Sequence, residues 1–166
     1  MTTEGAEPRI DYRKVAPQAV QALWTVERYA CGCTLEPTLL ELVKLRASMI
    51  NGCAYCVDMH SKDARTLGES EQRLYALSVW REAPFFAPAE RAALAWTEAV
   101  TEVSAGHVSD EVYRLAREHF DERQLVDLTM VIIAINSWNR LAIAFRAIAG
   151  TYEPARQHSA GSEVSP

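Results

Sequence analysis

No uninterrupted apolar run in this chain reaches the length a bilayer-spanning helix needs. The first ten residues hold no apolar stretch of the kind a secretory leader carries, so a cytoplasmic protein is the expectation. Positive charge is in deficit. Seventeen Lys and Arg stand against 22 Asp and Glu, a formal net charge of -5, which argues against nucleic acid and against an anionic membrane surface as partners. No glycine cluster forms a phosphate-cradling loop, no segment repeats, and no stretch sustains the period-two alternation of a half-buried strand. The chain has only four cysteines. In a reducing compartment they are poor candidates for structural staples.

What remains is helical patterning. Val20, Leu23, Trp24 and Val26 form a stripe on a helix expected over about Ala16 to Ala30, with Pro17 in its first turn and Gly32 as its C-terminal cap. A second helix is expected over Thr38 to Ile50, with Pro37 suited to its first turn and the turn pair Asn51-Gly52 breaking it. A third runs from the cysteines at 53 and 56 to Leu67, with Gly68 behind it. Ser70, Pro88 and Ser109 mark three more starts. Asp121 with Gln124 forms a capping box for a last helix extending to Ala149, stopped by Gly150, apolar on most faces and therefore expected to be buried. With 166 residues, the expectation is one all-α domain of six to seven helices. It spans 16–150, between a flexible N-terminal segment 1–15 and a disordered C-terminal tail 151–166.

The chemistry concentrates in Asn51-Gly52-Cys53-Ala54-Tyr55-Cys56-Val57-Asp58-Met59-His60. At roughly 100° and 1.5 Å per residue, Cys53, Cys56 and His60 share one side of a helix. Helical Cα atoms three apart lie within disulfide range. Thiols in a first helical turn sit by unpaired N–H groups and the positive dipole end, which favours the thiolate. His60 follows Cys56 at i+4 and can take or hold a proton beside the sulfur. Glu41 is the candidate acid/base partner. A helical hairpin folding the third helix back on the second brings His60 to its level, and a half-buried carboxylate there is expected to have a raised pKa. A zinc site built from Cys53, Cys56, His60 and Glu41 is the competing interpretation.

The arrangement Glu41, eleven residues, Cys53-x-x-Cys56-x-x-x-His60 resembles the core of the alkylhydroperoxidase D family, part of the carboxymuconolactone decarboxylase-like superfamily. Leu42-Val43-Lys44-Leu45-Arg46-Ala47-Ser48 and Ile135-Asn136-Ser137-Trp138-Asn139-Arg140 extend the likeness, which runs from Pro17 to Gly150. The family's namesake has histidine where this chain has Tyr55, and carries its motif later in the chain. The resemblance implies an all-helical homo-oligomer, trimer or hexamer, acting as a thiol peroxidase on hydroperoxides. Cys56 would be the peroxidatic thiol, Cys53 its proton donor and resolving partner, and Glu41 with His60 the proton relay. An external dithiol, a lipoyl protein or a thioredoxin-like one, would restore the pair. No cofactor or metal is expected. The alternatives are a redox-responsive scaffold without turnover and a cofactor-free decarboxylase or lyase.

Other reactive types read more plainly. Cys31 and Cys33 are expected to be packing or incidental thiols. Asn136, Trp138, Asn139 and Arg140 are expected to pair polar groups across a subunit contact rather than line a pocket. His107 and His119 are expected at the surface and His158 in the tail.

Overall fold

Prolines and short polar side chains start most of the helices in the computed structural model, which describes residues 7–154. Pro17, Pro37 and Pro88 open α2 (Pro17–Cys31), α3 (Pro37–Asn51) and α6 (Pro88–Thr101), where a missing N–H costs nothing. Ser70 caps α5 (Glu71–Ala76), which tightens into a 3₁₀ turn at Leu77–Val79, and Ser109 caps α8 (Asp110–Arg117). Asp121 and Gln124 cap each other's backbone N–H at the start of α9 (Glu122–Phe145). With α4 (Ala54–Thr66), these make seven helices of six residues or more. Two single turns, α1 (Tyr12–Val15) and α7 (Val103–Gly106), complete an all-α fold with no strand among the described residues.

The central helix is α3. It packs on α4, α6 and α9 and buries Leu39 through Leu45, then Ala47 and Ser48. Leu42 and Leu45 are fully enclosed, each contributing about 2 kcal/mol of burial. One side of α3 joins α2, α6, α8 and α9 around Val43, Leu128 and Ile132. The other joins α4, α5 and α6 around Leu77, Trp80 and Leu94.

The last helix departs from expectation in two ways. It ends at Phe145 rather than Ala149, because Arg146 takes a left-handed conformation (φ 55°) and Ala147 N–H closes on Ala142 C=O at 2.9 Å. An arginine there carries no stop signal of the kind glycine gives. Nor is α9 covered on most faces: Val126, Ile133 and Ile143 are exposed. At 24 residues it is long and apolar enough to cross a membrane by length and composition, contrary to the expectation from uninterrupted apolar runs, which its scattered polar residues break. Its inner side nonetheless buries Asp127 and Asn139 completely, and Asp127 accepts hydrogen bonds from Tyr29 (2.7 Å) and Arg123 (3.1 Å).

Both ends of the described chain fold back on the helices. In the segment expected to be flexible, Asp11 caps α1, and Arg9 N–H donates to Phe145 C=O at 2.9 Å. In the stretch expected as a disordered tail, residues 151–154 lie along α4. Tyr152 donates to Asp63 Oδ1 (2.7 Å), and Lys62 donates to the Tyr152 carbonyl (2.8 Å). These are contacts between residues about ninety positions apart, which no local periodicity announces. Residues 1–6 and 155–166, His158 among them, lie outside the described residues.

Candidate active site

The site begins where α3 hands over to α4. Gly52 ends α3 in the left-handed region (φ 68°), a conformation that costs glycine little. Its N–H and that of Cys53 close back on the C=O groups of Met49 (3.2 Å) and Ser48 (3.0 Å). The chain reverses within two residues, and Cys53 becomes the N-terminal cap of α4, its sulfur accepting from Cys56 N–H at 3.4 Å. Cys53 and Cys56 are joined as a disulfide, with Cα atoms 5.4 Å apart. Both are buried, at 1% and 2% exposure.

The reversal lays α4 against α3, so residues nineteen apart meet. His60 Nδ1 and Glu41 Oε2 are 2.7 Å apart, both enclosed. The other Glu41 oxygen takes Lys44 Nζ at 3.3 Å. Burial would raise the Glu41 pKa, as expected from the sequence, but His60 and Lys44 outweigh it and hold the carboxyl below its usual range. This corrects the expectation of a raised value: Glu41 is a standing anion. Its acceptance of Nδ1–H leaves Nε2 as the nitrogen free to exchange a proton. Burial pulls the Lys44 amine down, but Glu41, Glu27 and Cys31 together push it up further. The ammonium is therefore permanent.

Beside Cys56 and His60 lies a cavity of about 80 Å³, walled by Tyr12, Trp24, Tyr55, Met59, Trp138 and Ala142, with Arg13 and Glu27 as its other polar residues. A larger and more open groove of about 600 Å³ reaches Cys53 between the first turn of α4 and residues 146–149. Cys53 thus lines the groove and Cys56 the cavity, with Tyr55 and Ala142 lining both.

Comparison with known proteins places this geometry. The carboxymuconolactone decarboxylase family profile matches residues 16–99, a span covering the hairpin and all four of Glu41, Cys53, Cys56 and His60. The chain belongs to the carboxymuconolactone decarboxylase family. This member of the family is 46% identical to the uncharacterized protein YdfG of Bacillus subtilis, over 82% of its own length and 92% of YdfG. It superposes with a TM-score of 0.85 on a protein of unknown function from Agrobacterium tumefaciens, proposed to be the antioxidant defence protein AhpD. The two are 43% identical, and the match covers 88% of this chain and 100% of the other. The debrominase Bmp8 shares the fold at 20% identity and a TM-score of 0.74, over 83% of this chain and 74% of Bmp8. The alkylhydroperoxidase D-like architecture is thereby shown.

Within this family member, packing adds to the site a residue that the sequence did not single out, Glu27, and gives others that it did their places. Glu27 on α2 accepts from Lys44 at 3.2 Å with one oxygen and from Trp138 Nε1 at 3.0 Å with the other. Lys44 and Glu41 sit one turn apart, a spacing that was legible, but Glu27 is brought in only by tertiary packing. Trp138 lines the cavity, the place set second to a subunit contact for its cluster from the sequence. Asn136 and Asn139 also act within the subunit: both accept from Asn51 Nδ2, at 2.9 and 2.8 Å, and Asn139 donates to Ser48 Oγ at 3.1 Å. They pin the end of α3, and with it the turn that presents Cys53. Arg140 is exposed and donates to the carbonyl of Asn136.

Cys31 is exposed at the end of α2, its thiol donating to Glu27 at 3.2 Å and its sulfur accepting from Lys44 at 3.5 Å. Burial of its sulfur raises that thiol's pKa more than Lys44 lowers it, so Cys31 is poorly suited to act as a thiolate. Cys33 packs against the core. His107 and His119 are exposed. The zinc set inferred from the sequence does not present itself as ligands here, since the two sulfurs bond to each other and Glu41 to His60. Asp63 also brings a carboxylate oxygen within 4.8 Å of the Glu41 and His60 donor atoms, but it already accepts from Tyr152.

Proposed function

We propose that this protein is a thiol peroxidase that reduces hydroperoxides through a Cys53–Cys56 disulfide cycle. The observation carrying this is a buried CxxC disulfide at a helix start, with a carboxylate-anchored imidazole one turn behind it and a small cavity touching both Cys56 and His60. In the reduced protein, His60 Nε2 takes the Cys56 proton. The thiolate attacks the hydroperoxide: an S–O bond forms, the O–O bond breaks, and the leaving alkoxide receives the proton to depart as alcohol. Cys53 then attacks the sulfenic sulfur, forming the S–S bond and releasing water. An external dithiol exchanges with the disulfide, becomes oxidised itself and returns two thiols. Glu41 keeps the imidazole oriented and stabilises its charged form, rather than carrying the proton.

Assembly with copies of itself belongs to the same proposal, supported by the exposed Val126, Ile133 and Ile143 along α9. The decisive experiment treats reduced protein with one equivalent of peroxide and follows mass and thiol content. Wild type should lose two hydrogens at Cys53 and Cys56, and Cys56→Ser should lose peroxide consumption. Undiminished consumption in Cys56→Ser would exclude the mechanism. A disulfide that forms without turnover on any dithiol would favour a redox-responsive scaffold. Decarboxylase or lyase activity surviving Cys53→Ala/Cys56→Ala would favour the cofactor-free alternative.

A further inference from the structure

We infer that the site admits compact organic hydroperoxides and that Trp24 sets the size limit; this rests on the peroxidase reading above. The cavity beside Cys56 and His60 has a closed end and an open one. Cys56 and His60, at 2% and 5% exposure, mark its floor. Trp24, 42% exposed, and the exposed Arg13 mark its mouth. Trp138 is held by its bond to Glu27, and Trp24 leans on it with ring centroids 5.1 Å apart at 59°. The indole pair is a wall rather than a flap, because each ring rises from a long helix, α2 or α9.

The space enclosed is about 80 Å³. A cavity of about 150 Å³ is known to hold benzene, and drug-sized ligands occupy roughly 300–1,000 Å³. The room therefore suits a peroxide oxygen pair with a small carbon group. The lining is mainly aromatic and thioether, which favours a carbon-bearing peroxide over hydrogen peroxide. A hydroperoxide in the middle of a fatty-acid chain has carbon on both sides of the reacting carbon, and both arms would have to pass Trp24 together.

The test is the second-order rate at which reduced protein forms its disulfide, measured by quenched mass spectrometry so that no reductant takes part. Wild type should react with ethyl hydroperoxide at least roughly tenfold faster than with a mid-chain fatty-acid hydroperoxide, and Trp24→Ala should shrink that ratio by roughly threefold or more. Trp24→Phe, which keeps a ring at the mouth, should retain most of it. Equal wild-type rates, or an unchanged ratio in a folded Trp24→Ala, would overturn the inference while leaving the peroxidase reading intact. Disulfide formation with neither peroxide would sink both. The wild-type ratio needs no variant, so a misfolded Trp24→Ala still leaves a deciding measurement.

Discussion

Replacing Glu41 by Gln separates the charge of the buried carboxylate from its shape. Gln keeps the volume and an oxygen that can accept from His60 Nδ1–H, so no cavity opens and the tautomer is preserved. The anion is what disappears. Lys44, only 4% exposed, then retains Glu27 at 3.2 Å as its sole carboxylate partner. Breaking a buried pair outright costs about 3–5 kcal/mol. With one of two anions left, about 2–3 kcal/mol is expected at pH 7. Urea unfolding with the disulfide intact measures it as a lower midpoint at unchanged slope.

The pH dependence supplies the sign. The folded-state pKa of Glu41 lies below its ordinary value of 4.5. Its stabilisation is therefore fully present above that value and is lost as pH falls through the lower folded-state pKa. Wild type and Glu41→Gln should differ at neutral pH and converge in acid. The same variant should slow disulfide formation by peroxide roughly tenfold to a hundredfold, since the imidazolium loses its counter-charge. Stability within about 0.5 kcal/mol of wild type at pH 7, or a gap that widens on acidification, would refute the account of Glu41 as a standing anion.

Asn139→Ala removes a fully buried amide that joins Asn51 to Ser48. A loss of about 2 kcal/mol in urea unfolding is expected, with slower peroxide oxidation as the Cys53 turn loosens. Gly52→Ala meets no steric neighbour within 4 Å but inherits φ +68°, so a cost of about 1 kcal/mol should appear as a fall in melting temperature of roughly 2–4 °C. Tyr152→Phe deletes the 2.7 Å bond to Asp63; faster amide hydrogen exchange along residues 150–154, with little change in the exchange of α3, is the expected outcome.

The hairpin could be foreseen because its punctuation is local. Pro37 starts α3, Asn51-Gly52 ends it, and a helix reversal after Gly52 leaves few places for His60 other than beside Glu41. Chain ends were harder. Arg146 stops α9 in a left-handed conformation that its side chain does not advertise, and Tyr152 is anchored by an aspartate eighty-nine positions away. Asn136 and Asn139 were legible as a polar cluster in an apolar helix, yet whether they face another subunit or their own α3 depends on the rotation of α9, which pattern alone leaves open.

Sequence by itself determined the helix class, the starts of the long helices and the spacing that sets two sulfurs and an imidazole along one short helix, because propensity, capping and period act within a few residues. Tertiary structure decided the charge on Glu41. Burial on one side, and the His60 imidazole with the Lys44 ammonium on the other, pull its proton affinity in opposite directions, and only the packed distances to His60 and Lys44 determine which prevails. The same packing recruited Glu27 and the two indoles, whose places in the chain give no hint that they share a cavity.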